Sequence, residues 1–171
     1  MTYRRKKIAA VGIAAATMVA VALIAVPGLA TGPIGGFSPS PISFGTFGPF
    51  DVKAEKAGKW DLMLKSKGQT DVRVTRVSFP AGSSSGWHSH PGPNLLTVTL
   101  GTVVEYEGSN PVCPHTTYTR GDTFGDNGGE TVHLVRNSTG SPAEVIAVAF
   151  YPHGATPTTN TSKPTNCSIE H

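Results

Sequence analysis

The chain has 171 residues, 20 of them Gly and 14 Pro, and a formal net charge of +3. That length corresponds to one domain with a single core. Four of the positive charges are Arg4, Arg5, Lys6 and Lys7, so the +3 becomes −1 once those four are set aside. No basic cluster remains elsewhere, which excludes a nucleic-acid surface as the organising feature.

The basic start is followed by an uncharged apolar run over 8–26 and then by Pro27-Gly28-Leu29-Ala30. A charged beginning, an apolar stretch and small residues before a cut after Ala30 form a secretory signal pattern over 1–30. The alternative is an uncleaved signal-anchor, since residues 8–26 are nearly long enough to span a bilayer. Either way the folded part is expected outside the cytoplasm, secreted or held at the membrane by this segment alone.

Residues 31–49 are dominated by Gly, Pro, Ser and Phe and are expected to form a disordered linker. Ile42, Phe44, Phe47 and Phe50 could dock onto the domain as an arm or first strand.

From 50 to 152 short alternating segments recur with turn signals between them, and no long segment of helical period appears. Trp60, Leu62 and Leu64 share one face. The alternation of Val72-Arg73-Val74 changes phase near Thr75-Arg76, which predicts a β-bulge or a strand crossing between sheets. Leu96, Val98 and Leu100 share a face with Asn94. After Gly101, Val104 and Tyr106 alternate with Glu105 and Glu107, which sets Tyr106 inward. Val145–Phe150 is apolar on both faces, as a central strand or a contact between copies would be. The pattern predicts an all-β sandwich or barrel.

The Pro- and Thr-rich tail over 153–171 contains Cys167, and Cys113 lies in a loop of the body. In an exported chain two cysteines are expected to pair, tying the tail back.

The chemistry concentrates at Gly82-Ser83-Ser84-Ser85-Gly86-Trp87-His88-Ser89-His90. In extended backbone, side chains two apart face the same way, so His88 and His90 aim into one space. Trp87 should face away and pack. Downstream, Gly128-Gly129-Glu130-Thr131-Val132-His133-Leu134-Val135-Arg136-Asn137 offers a third imidazole, with His133 and Asn137 on the face opposite Leu134.

Together these segments resemble the cupin family. Its first motif runs Gly, five residues, His-x-His, three or four residues, Glu, six residues, Gly; Gly82, His88, His90 and Gly101 match, with Asn94 where the Glu is expected. Its second motif ends in Gly-x-x-His-x-x-x-Asn; Gly121, Gly129, His133 and Asn137 fit with one extra residue before His133, and Asn127 stands where Pro is usual. The resemblance covers roughly 59–152. It implies a jelly-roll β-barrel, a divalent-metal site at its mouth and a small-molecule ligand, and N-terminal arms of such proteins often complete a second copy's sheet, so a homodimer is one expectation.

Three neutral imidazoles from His88, His90 and His133 leave coordination positions open, the arrangement of a reactive site. Nitrogen ligands suit Zn, Fe, Ni, Cu or Mn without choosing among them. With an amide at Asn94 in place of the anionic Glu, the ion would keep its full charge and should attract an anionic ligand. Asn94, Tyr106 and Asn137 are the candidate pocket residues. Tyr106 either fills the core or donates to a bound molecule; Asn137 ties down backbone and faces the interior. Oxygenase- or isomerase-like chemistry and non-catalytic ligand sensing are both compatible with this set. No Gly-x-Ser-x-Gly elbow or phosphate loop competes with it.

Overall fold

A computed structural model describes residues 29–56 and 60–170. The signal or anchor segment expected over 1–30 falls almost wholly outside the described residues. Among the described residues there is no helix, and so none long and apolar enough to cross a membrane.

Twelve strands follow one another: β1 (Ser38–Phe47), β2 (Phe50–Lys56), β3 (Trp60–Ser66), β4 (Thr70–Phe79), β5 (His88–Ser89), β6 (Asn94–Leu100), β7 (Thr102–Glu107), β8 (His115–Thr119), β9 (Thr123–Asp126), β10 (His133–Arg136), β11 (Ala143–Pro152) and β12 (Thr159–Asn160). Ten of them form two antiparallel sheets of five, ordered β1-β4-β11-β6-β9 and β12-β5-β10-β7-β8. Phe79, Val98, Phe124, Ala143 and Val145 of the first sheet bury against Val103 and Val135 of the second. The fold is thus the expected two-sheet jelly roll. β11, apolar on both faces, is central in its sheet.

Four expectations are corrected. Residues 31–49 are not a disordered linker: β1 pairs with β4 from Ser38↔Ser78 to Phe47↔Thr70. Its prolines are tolerated because β1 is an edge strand, where an absent N–H can face away from the ladder. Second, β4 carries no bulge or crossing. It pairs with β11 without interruption from Ala143↔Phe79 to Pro152↔Thr70, and the register shift lies in β1, between Pro41 and Ser43. Arg73 and Thr75 are therefore in phase with Val77 and Phe79 on the inner face. Third, the body extends beyond 50–152, because the sheets recruit β1 and the tail strand β12. Fourth, the barrel expected over 50–152 leaves out its first two strands: β2 and β3 pair only with each other, and the face shared by Trp60, Leu62 and Leu64 lies exposed.

Cys113 and Cys167 form a disulfide across a sequence separation of 54. A loop of that size stabilises by on the order of 4 kcal/mol in the chain-entropy account. Cys167 packs with Trp87 and Leu134 in a second apolar cluster, flanked by Tyr106, Val132 and Ile169. Leu134 alternates with His133 and Val135, so this cluster lies on the face of β10 away from the main core. Burying each of the large side chains contributes roughly 1.5–3 kcal/mol.

Candidate metal centre

The Gly/Ser turn before β5 sets the first two histidines. The Ser85 amide donates to the Val135 carbonyl at 2.9 Å, and Ser85 Oγ accepts from the Val135 amide at 3.0 Å. These bonds clamp the turn to β10. Gly86 has φ +70°, and a Cβ there would meet the Gly32 carbonyl oxygen at 2.6 Å; glycine is required by both the backbone conformation and the close approach. The chain then enters β5, where His88 stands directly opposite His133. The tail strand flanks the other side, with Asn160 opposite His88.

Each ring is fixed through its outer nitrogen. His88 Nδ1 lies 2.9 Å from the Gly86 carbonyl oxygen, and His90 Nδ1 lies 2.8 Å from the Pro157 carbonyl oxygen. A carbonyl can only accept, so both Nδ1 atoms carry the proton. His133 Nδ1 lies 3.2 Å from Glu105 Oε1, and both side chains are buried. With Nδ1 donating outward, the Nε2 lone pairs point inward. His88 Nε2 is 3.1 Å from His90 Nε2 and 2.9 Å from His133 Nε2. The ligand atoms of the three rings all lie within 4.8 Å of one another. Outward carbonyl and carboxylate partners that set the tautomer are what metal-ligating histidines generally have.

The electrostatics favour the neutral form of His88 and His90. Burial, then the neighbouring His133 and His90, push His88 well below its ordinary range. Burial likewise lowers His90, opposed by its bond to Pro157. A neutral imidazole is the form that binds a metal ion.

The rings open onto a cavity of about 480 Å³ between the sheets, within the size range of small-molecule sites. Its walls are largely apolar, with Val77, Phe79, Leu96 and Phe124 among them, and Asn94 and Tyr151 stand beside the histidines.

Asn94 is buried and lines this cavity, but its amide is already engaged. Asn94 Nδ2 donates to Asp126 Oδ2 at 3.1 Å, and Tyr151 Oη donates to Asn94 Oδ1 at 2.7 Å. Tyr151 Oη also lies 3.2 Å from His90 Nδ1, which links Asp126, Asn94, Tyr151 and His90 in one chain. Burial pushes the Tyr151 hydroxyl up to about 12, so it remains a donor.

The other two candidates lie elsewhere. Tyr106 is opposite Leu134 in the ladder and packs on the Trp87 cluster, outside the cavity. The strand phase is the reverse of the expected one: Glu105, opposite Val135, turns inward with Val103. Asn137 is fully buried but does not line the cavity. Its Nδ2 donates to the carbonyls of Phe79, Pro80 and Ser141, and its Oδ1 accepts from the Thr139 amide and hydroxyl, so it ties loops together. His115 and His153 are exposed.

Sequence reasoning missed Glu105, Asp126, Tyr151 and Pro157. Glu105 reads as outward, opposite an inward Tyr106; Asp126, Tyr151 and Pro157 carry no local signal of a role at the site. Only a carboxylate in phase with Val103, one strand away from a motif histidine, could have pointed to Glu105.

No protein-family model and no curated protein matches the chain. Solved structures similar to it include a double-stranded β-helix protein from Klebsiella pneumoniae, with 18% identity and a TM-score of 0.44 over 68% of this chain and 86% of that one. A cupin-like protein from Thermotoga maritima has 24% identity and a TM-score of 0.43 over 55% and 67%. The DMSP lyase DddQ from Ruegeria pomeroyi has 18% identity and a TM-score of 0.45 over 55% and 44%.

Proposed function

We propose that this cupin-type chain is an exported protein that acts on a small molecule at a divalent transition-metal centre held by His88, His90 and His133. The observation that supports this is that all three Nδ1 atoms have outward acceptors, which leaves three Nε2 atoms clustered within 4.8 Å of one another on the cavity wall. Their lone pairs repel unless a cation lies between them. When bound, the ion would supply Lewis-acid or oxygen-activating chemistry, of the kind oxygenases and isomerases use. The residues of the chain bind and orient around it: Glu105 and the two carbonyls hold the rings, and the apolar walls exclude water. Tyr151 offers a hydroxyl that stays protonated. Export is supported by the Cys113–Cys167 disulfide, a bond that persists in oxidising compartments.

One observation favours a second reading, a binding or sensing module without turnover. Among the described residues, the cavity is lined by no Asp or Glu, so no carboxylate is placed in it as a general base. The deciding experiment has two parts. Elemental analysis of the purified protein, before and after soaking in zinc, cobalt, nickel or iron(II), should give about one ion per chain, and absence of uptake by all four would end the metal reading. Turnover by the loaded protein across small carbonyl, phenolic and thiol compounds, lost in His90→Ala, would decide for catalysis over sensing.

A further inference from the structure

The inner face of β4 places a cation in this largely apolar cavity. Arg73 is paired with Phe44 of β1 and with Ala149 of β11, and Ala149 is paired with Asn94 of β6. Arg73 thus lies in the same cross-strand row as Asn94, and it lines the cavity together with the three histidines. Its Nε is buried and has no hydrogen-bond partner. The contacts of its guanidinium with Asp71 and Phe44 are weak. Nη2 is 3.7 Å from Asp71 Oδ2, beyond hydrogen-bond length, and Cζ sits 4.9 Å over the Phe44 ring. Asp71 is itself committed elsewhere: it accepts from Thr46 Oγ1 at 2.8 Å, His153 Nδ1 at 2.8 Å and the Gly154 amide at 3.1 Å. An aromatic ring and a long ion pair hold the fork in place while leaving a buried donor unmet. Buried polar groups are nearly always paired, so an orphan at a cavity wall needs an explanation. Arg73, His88, His90 and His133 line one cavity, so the cation and the metal centre belong to one chamber.

We propose that Arg73 anchors the carboxylate of a small monocarboxylic acid whose apolar body fills the cavity and whose far end reaches the three-histidine centre. This rests on the metal-site reading for the far end only. A planar guanidinium presents paired N–H donors that match a carboxylate. The buried carboxylates of Asp71 and Asp126 near the same sheet row disfavour a second negative charge at that end, which selects a monoanion.

The test uses the purified full chain, stripped of metal with a chelator, and the probes benzoate and benzamide, which share a shape and differ in charge. Calorimetric titration should show benzoate binding at least tenfold tighter than benzamide. Arg73→Gln should abolish that preference, and Arg73→Lys, which keeps the charge but not the fork, should retain only part of it. The lysine variant also serves if the glutamine variant fails to fold. Equal binding of the two probes, binding of neither at millimolar concentration, or an undiminished preference in either variant overturns the proposal. Zinc uptake is measured separately on the same samples. Loss of uptake with benzoate preference intact would sink the metal reading and leave the anchor standing, and uptake without any preference would do the reverse.

Discussion

His133 faces His88 directly across the β10–β5 ladder, with their Nε2 atoms 2.9 Å apart. Both rings donate through Nδ1, so neither has a proton on Nε2 to bridge that gap unless one becomes charged, and burial opposes charging His88. A divalent ion removes the conflict. At a zinc concentration about 100 times the dissociation constant, stabilisation should be about 2.7 kcal/mol, which for a chain of this size raises Tm by roughly 5–10 °C. His133→Ala should show no such rise while keeping a Tm near that of the metal-free parent. Differential scanning calorimetry with and without zinc reads both; a rise that persists in His133→Ala would place the metal elsewhere.

Glu105 sets the orientation of His133 through the 3.2 Å contact to Nδ1. Glu105→Gln keeps an acceptor and removes the charge, so the fold should persist while metal affinity falls by about 10–100-fold, the usual range for such outer partners. Competition against a chromophoric chelator measures it. The effect should be absent in Glu107→Gln, whose side chain is exposed.

The histidines were legible because their spacing is local: two rings on one extended segment, and a third in a strand bounded by glycines. What escaped was phase. Arg73 and Thr75 break the apolar alternation of β4, and the pattern was read as a slip because inner faces are expected to be apolar. The strand is in register throughout, and the polar residues are inside because that end of the sandwich is a cavity. The same effect hid Glu105. A buried carboxylate and an outward Tyr106 reverse the expected polarity of β7, since a second apolar cluster covers its other face. β1 was legible only from Ile42 onward, as an arm or first strand; its prolines, which composition alone assigns to a linker and an edge position allows, hid the Ser38–Pro41 part.

The tail is part of the site as well as of the fold. Pro157 accepts from His90, β12 pairs with β5, and the disulfide fixes the chain beyond both. Reduction, or Cys113→Ser with Cys167→Ser, should lower stability by on the order of 4 kcal/mol, or roughly 8–16 °C in Tm. It should also weaken metal binding through the loss of a fixed Pro157 carbonyl. Unchanged metal affinity in the double serine variant would separate the tail from the centre.

Asp71 joins β1, β4 and the segment after β11 by accepting from Thr46, His153 and Gly154. The bond from His153, above all, holds its carboxyl down at about 2, against an ordinary 3.8. A lowered folded value means that the stabilisation is fully present above the ordinary value and is lost as pH falls from about 4 towards about 2. Urea midpoints across that window should fall more steeply in the parent than in Asp71→Asn, which starts lower and stays flatter. Parallel curves would show that this carboxylate does not govern acid stability.

Asn94 stands where the cupin-like sequence pattern leads one to expect a carboxylate, and its neighbours explain why a carboxylate does not fit there without other changes. Its Nδ2 donates to the buried Asp126 at 3.1 Å, and Asp126 Oδ1 is taken by the Gly128 amide at 2.9 Å. Asn94→Asp would set two buried carboxylates against each other, and such a pair holds one proton to a raised pKa. A folded value above the unfolded one gives stability that is present at low pH and lost as pH rises through it. The variant should therefore unfold more easily at pH 8 than at pH 5, by on the order of 1–3 kcal/mol, opposite in sign to the trend set by Asp71. Asn94→Asp combined with Asp126→Asn restores a donor facing an acceptor and should flatten the profile. A double variant as pH-sensitive as the single one would mean that the Asn94–Asp126 bond is not what excludes the carboxylate.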